Sequence, residues 1–278
     1  MSLNRSKKPI LGHLACHVAL ILASATVLVP FLWMFTTSLQ TRAETYTNAS
    51  ILPTSWHWEN YVKAWDAAPF AQYYLNSALM ALGIVIGHLV FDSMAAYAFA
   101  RLRFPAKDAI FVGFLALLMV PSFVTVIPLY SLVANLGWID TMSALVIPRL
   151  ADVFGIILLR QFFTSIPVEL EEAARIDGCS RLSVFCRIVI PLSRPALATL
   201  AIFSFLFAWN DFLWPLLVTN TDQHRTIQIG LQAFVGRYGT SWNYLMAGTL
   251  TATLPTVVVF LFFQKALIRG IAASGMKE

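Results

Sequence analysis

Six runs of about twenty apolar residues, separated by short segments that carry most of the lysines and arginines, leave this chain few ways to fold. An α-helix rises about 1.5 Å per residue and a bilayer core is about 30 Å thick, so each run is long enough to cross a membrane. Lipid offers the backbone no hydrogen-bond partners, and a helix satisfies its own. Composition agrees: 58% of residues are hydrophobic, 12% are charged and the mean hydropathy is +0.71. A soluble domain carries about 25% charged residues. The expected fold is an all-α membrane protein with six transmembrane helices, over residues 14–35, 74–99, 109–132, 142–163, 196–218 and 244–263.

The basic residues set the orientation. With both termini in the cytoplasm, the inside segments hold fourteen lysines and arginines and the outside segments four, with Arg149 inside a span. That asymmetry is the positive-inside pattern. The net charge of +5 does not point to nucleic acid, because the cations are spread between oily runs rather than gathered on one face. The first run reads as an anchor helix. It is longer than the apolar region of a cleavable signal and lacks a clean small-x-small cleavage site. Cys16, Cys179 and Cys186 form no disulfide framework and have no metal-ligand spacing. No metal site and no catalytic triad are expected.

Several polar residues fall inside the spans. Gly83 and Gly87 lie at GxxxG spacing, which lets helices approach closely in lipid. His88 and Asp92, four apart, share a helical face; they suit either a proton relay or an inter-helix hydrogen bond. Arg149 and Asp152 can pair with each other or with Asp92, as a structural ion pair or in a solute pathway. Trp209, Asn210 and Asp211 combine a flat apolar ring with hydrogen-bonding groups and, with Asn76, are candidates for lining a pathway. Trp56, Trp58, Tyr61 and Trp65 crowd a polar segment after the first run, as in a membrane-interface belt or an external loop.

The segment 167–191, PVELEEAARIDGCSRLSVFCRIVIP, is different: charged, amphipathic and broken at Gly178. Charge counting puts it in the cytoplasm, between spans four and five. Ser165 suits an N-cap and Pro167 a first helical turn. Gly178 suits the positive φ that ends a helix. A second helix from about Ser180 is expected to place Leu182, Phe185, Ile188 and Val189 on one face. Two short helices about a glycine can fill a groove on a partner protein or lie on the lipid surface; the amphipathicity alone leaves both open.

The spacing Glu172-Ala173-Ala174, three residues, Gly178, nine residues, Ile188, then Ile190-Pro191 resembles the signature of binding-protein-dependent ABC importer permeases, with Ile190 where that family has leucine. AAYAFARLRF (95–104), LRQFF (159–163) and AWNDFLWPL (208–216) resemble the carbohydrate branch, in particular the second permease of maltose-type importers. The resemblance implies an inner-membrane permease of a prokaryote that forms half of a sugar pathway. Its implied partners are a second permease, a dimeric cytoplasmic ATPase that binds ATP and magnesium, and an external sugar-binding protein. It assigns ATPase coupling to Glu171, Glu172, Ala173, Ala174, Asp177, Gly178, Ile188 and Pro191. It also implies three parts: an anchor helix and external aromatic segment (1–72), a five-span permease core (73–266) and a cytoplasmic tail (267–278). The chain contains no Gly-Lys pair and therefore no phosphate-binding loop of its own. A proton-coupled secondary transporter explains the charges in the spans but not the glutamate–alanine loop. An importer permease for a non-sugar solute explains the loop but not the flanking phrases.

Overall fold

The computed structural model describes residues 10–47, 52–236 and 239–275. Three helices are long and apolar enough to cross a membrane unbroken, with spans at Cys16–Ser38, Phe70–Arg101 and Trp242–Gln264. Three further helix pairs reach the same length only together. They are Lys107–Leu117 with Ser122–Asn135, bent by 99°; Met142–Arg149 with Val153–Ser165, bent by 41°; and Arg181–Leu192 with Arg194–Trp209, bent by 79°. The chain is thus almost wholly helical, with three to six candidate spans. The one departure from the all-α expectation among the described residues is a two-residue antiparallel ladder, Val235–Gly236 against Gly239–Thr240.

The breaks have local causes. Pro121 cannot donate to a preceding turn, and the helix that ends at Leu117 restarts at Ser122 with Pro121 in extended conformation. The fifth run is not one helix: it stops at Trp209, and Leu213–Val218 is a separate short helix. The Asn210 side chain donates to the Leu206 carbonyl (2.8 Å), and Asp211 accepts from the Trp214 N–H (3.4 Å). The Asp211 carboxylate here takes the Trp214 N–H that a continuous helix would give to the Asn210 carbonyl.

The backbone divides into two compact units. One takes in Ala68 and the described residues before it, together with Ala233–Thr251. In its first helix, Ile10–Ser38, the described apolar side chains from Leu14 to Trp33 are exposed. After it, Thr41 and Glu44 form a capping box: Thr41 Oγ1 accepts from Glu44 N–H (3.2 Å) and Glu44 Oε2 accepts from Thr41 N–H (2.7 Å). Glu44 Oε1 also accepts from the Thr54 hydroxyl and N–H. The hydrogen bonds from Thr54 and Thr41 outweigh the cost of burial and lower the Glu44 pKa to about 2. Trp58 stacks between Trp56 and Tyr61, at centroid distances of 6.5 Å to each.

The other unit holds Pro69–Gln232 and the described residues from Ala252 on. Gly83 and Gly87 act as their spacing suggested. A Cβ on Gly83 would lie 2.9 Å from a Val146 methyl, and one on Gly87 would lie 2.7 Å from the Leu150 carbonyl oxygen. The Met142–Arg149 helix and the break after it therefore rest directly on this glycine face. Towards the other end of the same helices, Ala96, Tyr97, Phe99, Leu159, Phe163 and Leu200 form a buried apolar core with Val184, Phe185 and Val189.

Candidate functional site: a docked two-helix loop

The Phe70–Arg101 helix and the Val153–Ser165 helix end side by side, and the charged segment begins there. Ser165 does not cap the next helix; its hydroxyl donates back to the Phe162 carbonyl (2.7 Å) and closes the previous one. The first loop helix runs Val168–Ile176 with Pro167 at its cap. Proline leaves no N–H unsatisfied there and holds an extended ψ of 128°.

Gly178 ends this helix with φ +84°. The Cys179 N–H donates to the Ala174 carbonyl (2.9 Å) and the Gly178 N–H to the Arg175 carbonyl (3.1 Å). These are the two bonds of a Schellman motif, with Gly178 at the left-handed position. Ser180 then caps the second helix, its hydroxyl accepting from the Ser183 N–H (3.2 Å). The second helix passes through a π-turn at Phe185–Val189 into Ile190–Leu192, which contains Pro191.

One face of the loop is bolted to the spans. Glu171 is buried and accepts from Arg101 Nε (2.6 Å) and from the Tyr97 hydroxyl (3.2 Å), while Arg101 Nη2 donates to the Ile166 carbonyl. The Phe185 ring packs on Tyr97 at a centroid distance of 5.1 Å. Val184 and Val189 are buried beside it, and Ala174, Cys179, Ile188 and Ile190 pack partly against the same core. Leu182 departs from the expected buried face: it is 66% exposed. Its position in the first turn of the second helix carries it past the edge of the core.

The other face is open. Glu172, Ala173, Asp177 and Gly178 are exposed, as are Arg175 and Arg181. Ile176 is 87% exposed, an isoleucine standing clear of its own subunit. The residues assigned to coupling therefore divide in two. Glu171, Ala174 and Ile188 hold the element down, Pro191 is half-buried, and Glu172, Ala173, Asp177 and Gly178 are presented outward. Arg101, which reads in the sequence only as one of the inside cations, is the residue missed. Its partner lies seventy positions away, and no local pattern joins them.

The polar residues inside the helices form a second cluster. His88 and Asp92 bracket a π-turn, His88–Asp92, with Nδ1 and Oδ2 3.9 Å apart. His88 Nε2 faces the Arg149 carbonyl (2.9 Å) and must donate, so Nδ1 accepts from the Ser204 hydroxyl (2.7 Å). Asp92 Oδ1 accepts the Asp152 N–H (2.9 Å), and Asp152 caps the next helix by accepting from the Phe154 N–H (2.7 Å). Gly155 leaves the room that the Asp92 carboxylate occupies. Arg149 pairs with neither Asp152 nor Asp92. Its Nη2 lies 3.1 Å from Asp211 Oδ2, and its guanidinium stands 5.1 Å from the Phe207 ring.

Two residues expected to line a pathway make hydrogen bonds within the protein. Trp209 is buried, donates its indole N–H to the Ala252 carbonyl (2.9 Å) and stacks on Phe205. Asn76 is buried and donates to the Gln223 and Arg225 carbonyls (2.9 and 2.8 Å), pinning the loop before Ile227–Gly230. In that loop Asp222 accepts from the Tyr73 hydroxyl and from Arg225, which lowers its pKa. Asn210 stays exposed and Asp211 partly so. Among the described residues no group of three or more histidine, cysteine or acidic side chains is arranged to hold a metal ion.

A family model described as the binding-protein-dependent transport system inner membrane component matches residues 81–273. The probable ABC transporter permease protein YurM of Bacillus subtilis is 35% identical over 273 residues, covering 98% of this chain and 91% of that protein. The sn-glycerol-3-phosphate transport system permease protein UgpE of Escherichia coli is 35% identical over 267 residues, covering 93% and 95%. Among solved structures, a chain of a bacterial ABC transporter involved in the import of the acidic polysaccharide alginate shares the fold. Its TM-score is 0.81 at 22% identity, over 95% of this chain and 99% of that one.

Proposed function

The chain belongs to the family of inner membrane components of binding-protein-dependent transport systems, and from that premise we propose that it forms half of the pathway of an ATP-driven importer for a sugar or sugar derivative. In this reading it spans the inner membrane of a bacterium six times with both ends in the cytoplasm, which the distribution of lysines and arginines supports. A second permease subunit completes the pathway, and an external binding protein delivers the solute. A dimeric cytoplasmic ATPase supplies ATP, magnesium and the hydrolytic chemistry. Relatives named for sn-glycerol-3-phosphate and alginate transport support a hydroxylated solute.

One observation carries the coupling role: the loop is anchored to its own spans and exposes large apolar side chains among charges on the outside. The Glu171–Arg101 pair and the Phe185–Tyr97 contact fix it to the end of the Phe70–Arg101 helix. Ile176 and Leu182 stand exposed beside Glu172 and Ala173. A lever that transmits a push needs this combination, a firm root and a tip that fits a groove.

The test is uptake by the complete importer in proteoliposomes. ATP-dependent accumulation of sugar is expected for the wild type. Ile176→Asp is expected to lower it at least tenfold while the permease pair still inserts, because it puts a charge where the groove needs an apolar tip. Gly178→Val is expected to do the same, since a β-branched residue resists the left-handed φ there. Accumulation driven by a proton gradient with the ATPase omitted would overturn the reading.

A further inference from the structure

Three helices of the second unit carry polar side chains well away from their ends beside the docked loop. Counted from their ends beside the docked loop, Ser93–Arg101 has nine residues, Val153–Ser165 thirteen and Arg194–Trp209 sixteen. At about 1.5 Å per residue, Asp92, Asp152 and Asn210 lie roughly 14, 20 and 24 Å beyond those ends, less than the roughly 30 Å thickness of a hydrocarbon core. At this depth Asp152 and Asn210 are exposed, and so are the rings of Phe154, Phe203 and Phe207. Acyl chains cannot solvate a carboxylate or an amide, so this face meets water or protein rather than lipid.

Arg149 stands at its centre, its side chain partly exposed and held between Asp211 and the Phe207 ring. A guanidinium has five N–H donors in a fixed plane; among the described residues Asp211 is the carboxylate that pairs with it. The remaining donors lie beside an exposed aromatic face. Donors in a plane next to a flat apolar ring match a sugar, whose hydroxyls accept in its plane while its C–H groups pack on an aromatic.

We infer that this face lines the solute path, with Arg149 donating to the oxygens of a polyhydroxylated solute and Phe207 packing against its ring. Asp211 is a positioning residue that aims the guanidinium. Asp152 and Asn210 keep the face wet and accept or donate as the solute passes. This assignment rests on the importer reading above and adds the residues through which this subunit meets its cargo.

The experiment uses the complete importer in proteoliposomes with Cys16, Cys179 and Cys186 replaced by serine. Asn210→Cys and Phe207→Cys are probed with a water-soluble methanethiosulfonate reagent, and Leu22→Cys on the exposed first helix serves as the lipid-facing control. Labelling at least tenfold faster than the control is expected, with a rate that changes when ATP and vanadate trap the complex. Arg149→Gln is expected to reduce sugar uptake about tenfold, and Arg149→Lys to retain part of it. Labelling as slow as the control, trapped or untrapped, would mean that the second permease covers the face and would overturn the assignment. So would wild-type uptake by Arg149→Gln. Absence of ATP-driven uptake in the wild type would count against the importer reading alone, because the labelling reads water access without it.

Discussion

Glu171 and Glu172 are neighbours with opposite surroundings. A helix turns about 100° per residue, so one carboxylate points at the Arg101 guanidinium and the other at solvent. Both side chains of the inner pair are mostly buried, where removing one partner strands the other as an uncompensated charge. Glu171→Ala and Arg101→Ala are each expected to cost about 3–5 kcal/mol. The double variant is expected to lose less than the sum, by about 0.5–3 kcal/mol. Denaturant unfolding in micelles measures the cycle; strict additivity would mean that the pair does not anchor the loop. The side chains of Arg149 and Asp152 show the same dependence on direction: three apart in sequence, they part company because the helix breaks between them. Asp152 turns to cap the new helix, and Arg149 reaches Asp211 instead.

The helix breaks are where sequence and structure diverge most at the level of elements. Hydropathy reads 196–218 as one span because it averages across Asn210 and Asp211, where the helix stops and the Asp211 carboxylate takes the Trp214 N–H. The loop, in contrast, is legible from its parts: glycine at the left-handed position and serine before the second helix both act as their chemistry dictates. The glycine face at Gly83 and Gly87 was equally readable, though not what it touches. Gly87→Ala is expected to destabilise by about 1–3 kcal/mol, because its methyl would meet the Leu150 backbone as well as the Leu150 side chain, and the backbone cannot swing away. Gly113→Ala, with open space around the added Cβ, is the matched control. Thermal unfolding of the two variants in micelles separates packing from the general cost of altering a helix glycine.

At the scale of the whole molecule, the two compact units put different chemistry under different control. The unit that contains Glu44 is held after its first helix by one carboxylate that accepts from Thr41 and Thr54. Its folded pKa of about 2 lies below the ordinary 4.5. The stabilisation is therefore present above the unfolded value and is lost as pH falls through the folded one. Amide protection around 41–47 and 52–57 is expected to hold at neutral pH and to weaken between about pH 4.5 and 2. Hydrogen exchange of the wild type against Glu44→Gln checks this; the variant should lack that acid-dependent step. The loop and the intramembrane cluster belong to the other unit and make no use of this carboxylate.

Sequence by itself determined the membrane-spanning helical class, the contrast between loops rich and poor in lysine and arginine, the glycine contact face and the break at Gly178. All of these are local: they follow from hydropathy over about twenty residues, or from φ preferences and capping within about four. The tertiary structure decided which polar groups meet. Arg101 with Glu171, Arg149 with Asp211 and Asn76 with the carbonyls of residues 223 and 225 are each joined across some 60 to 150 positions. A buried charge needs a partner wherever the docking of helices brings one within reach, and that register is set by close packing between distant segments rather than by any spacing along the chain.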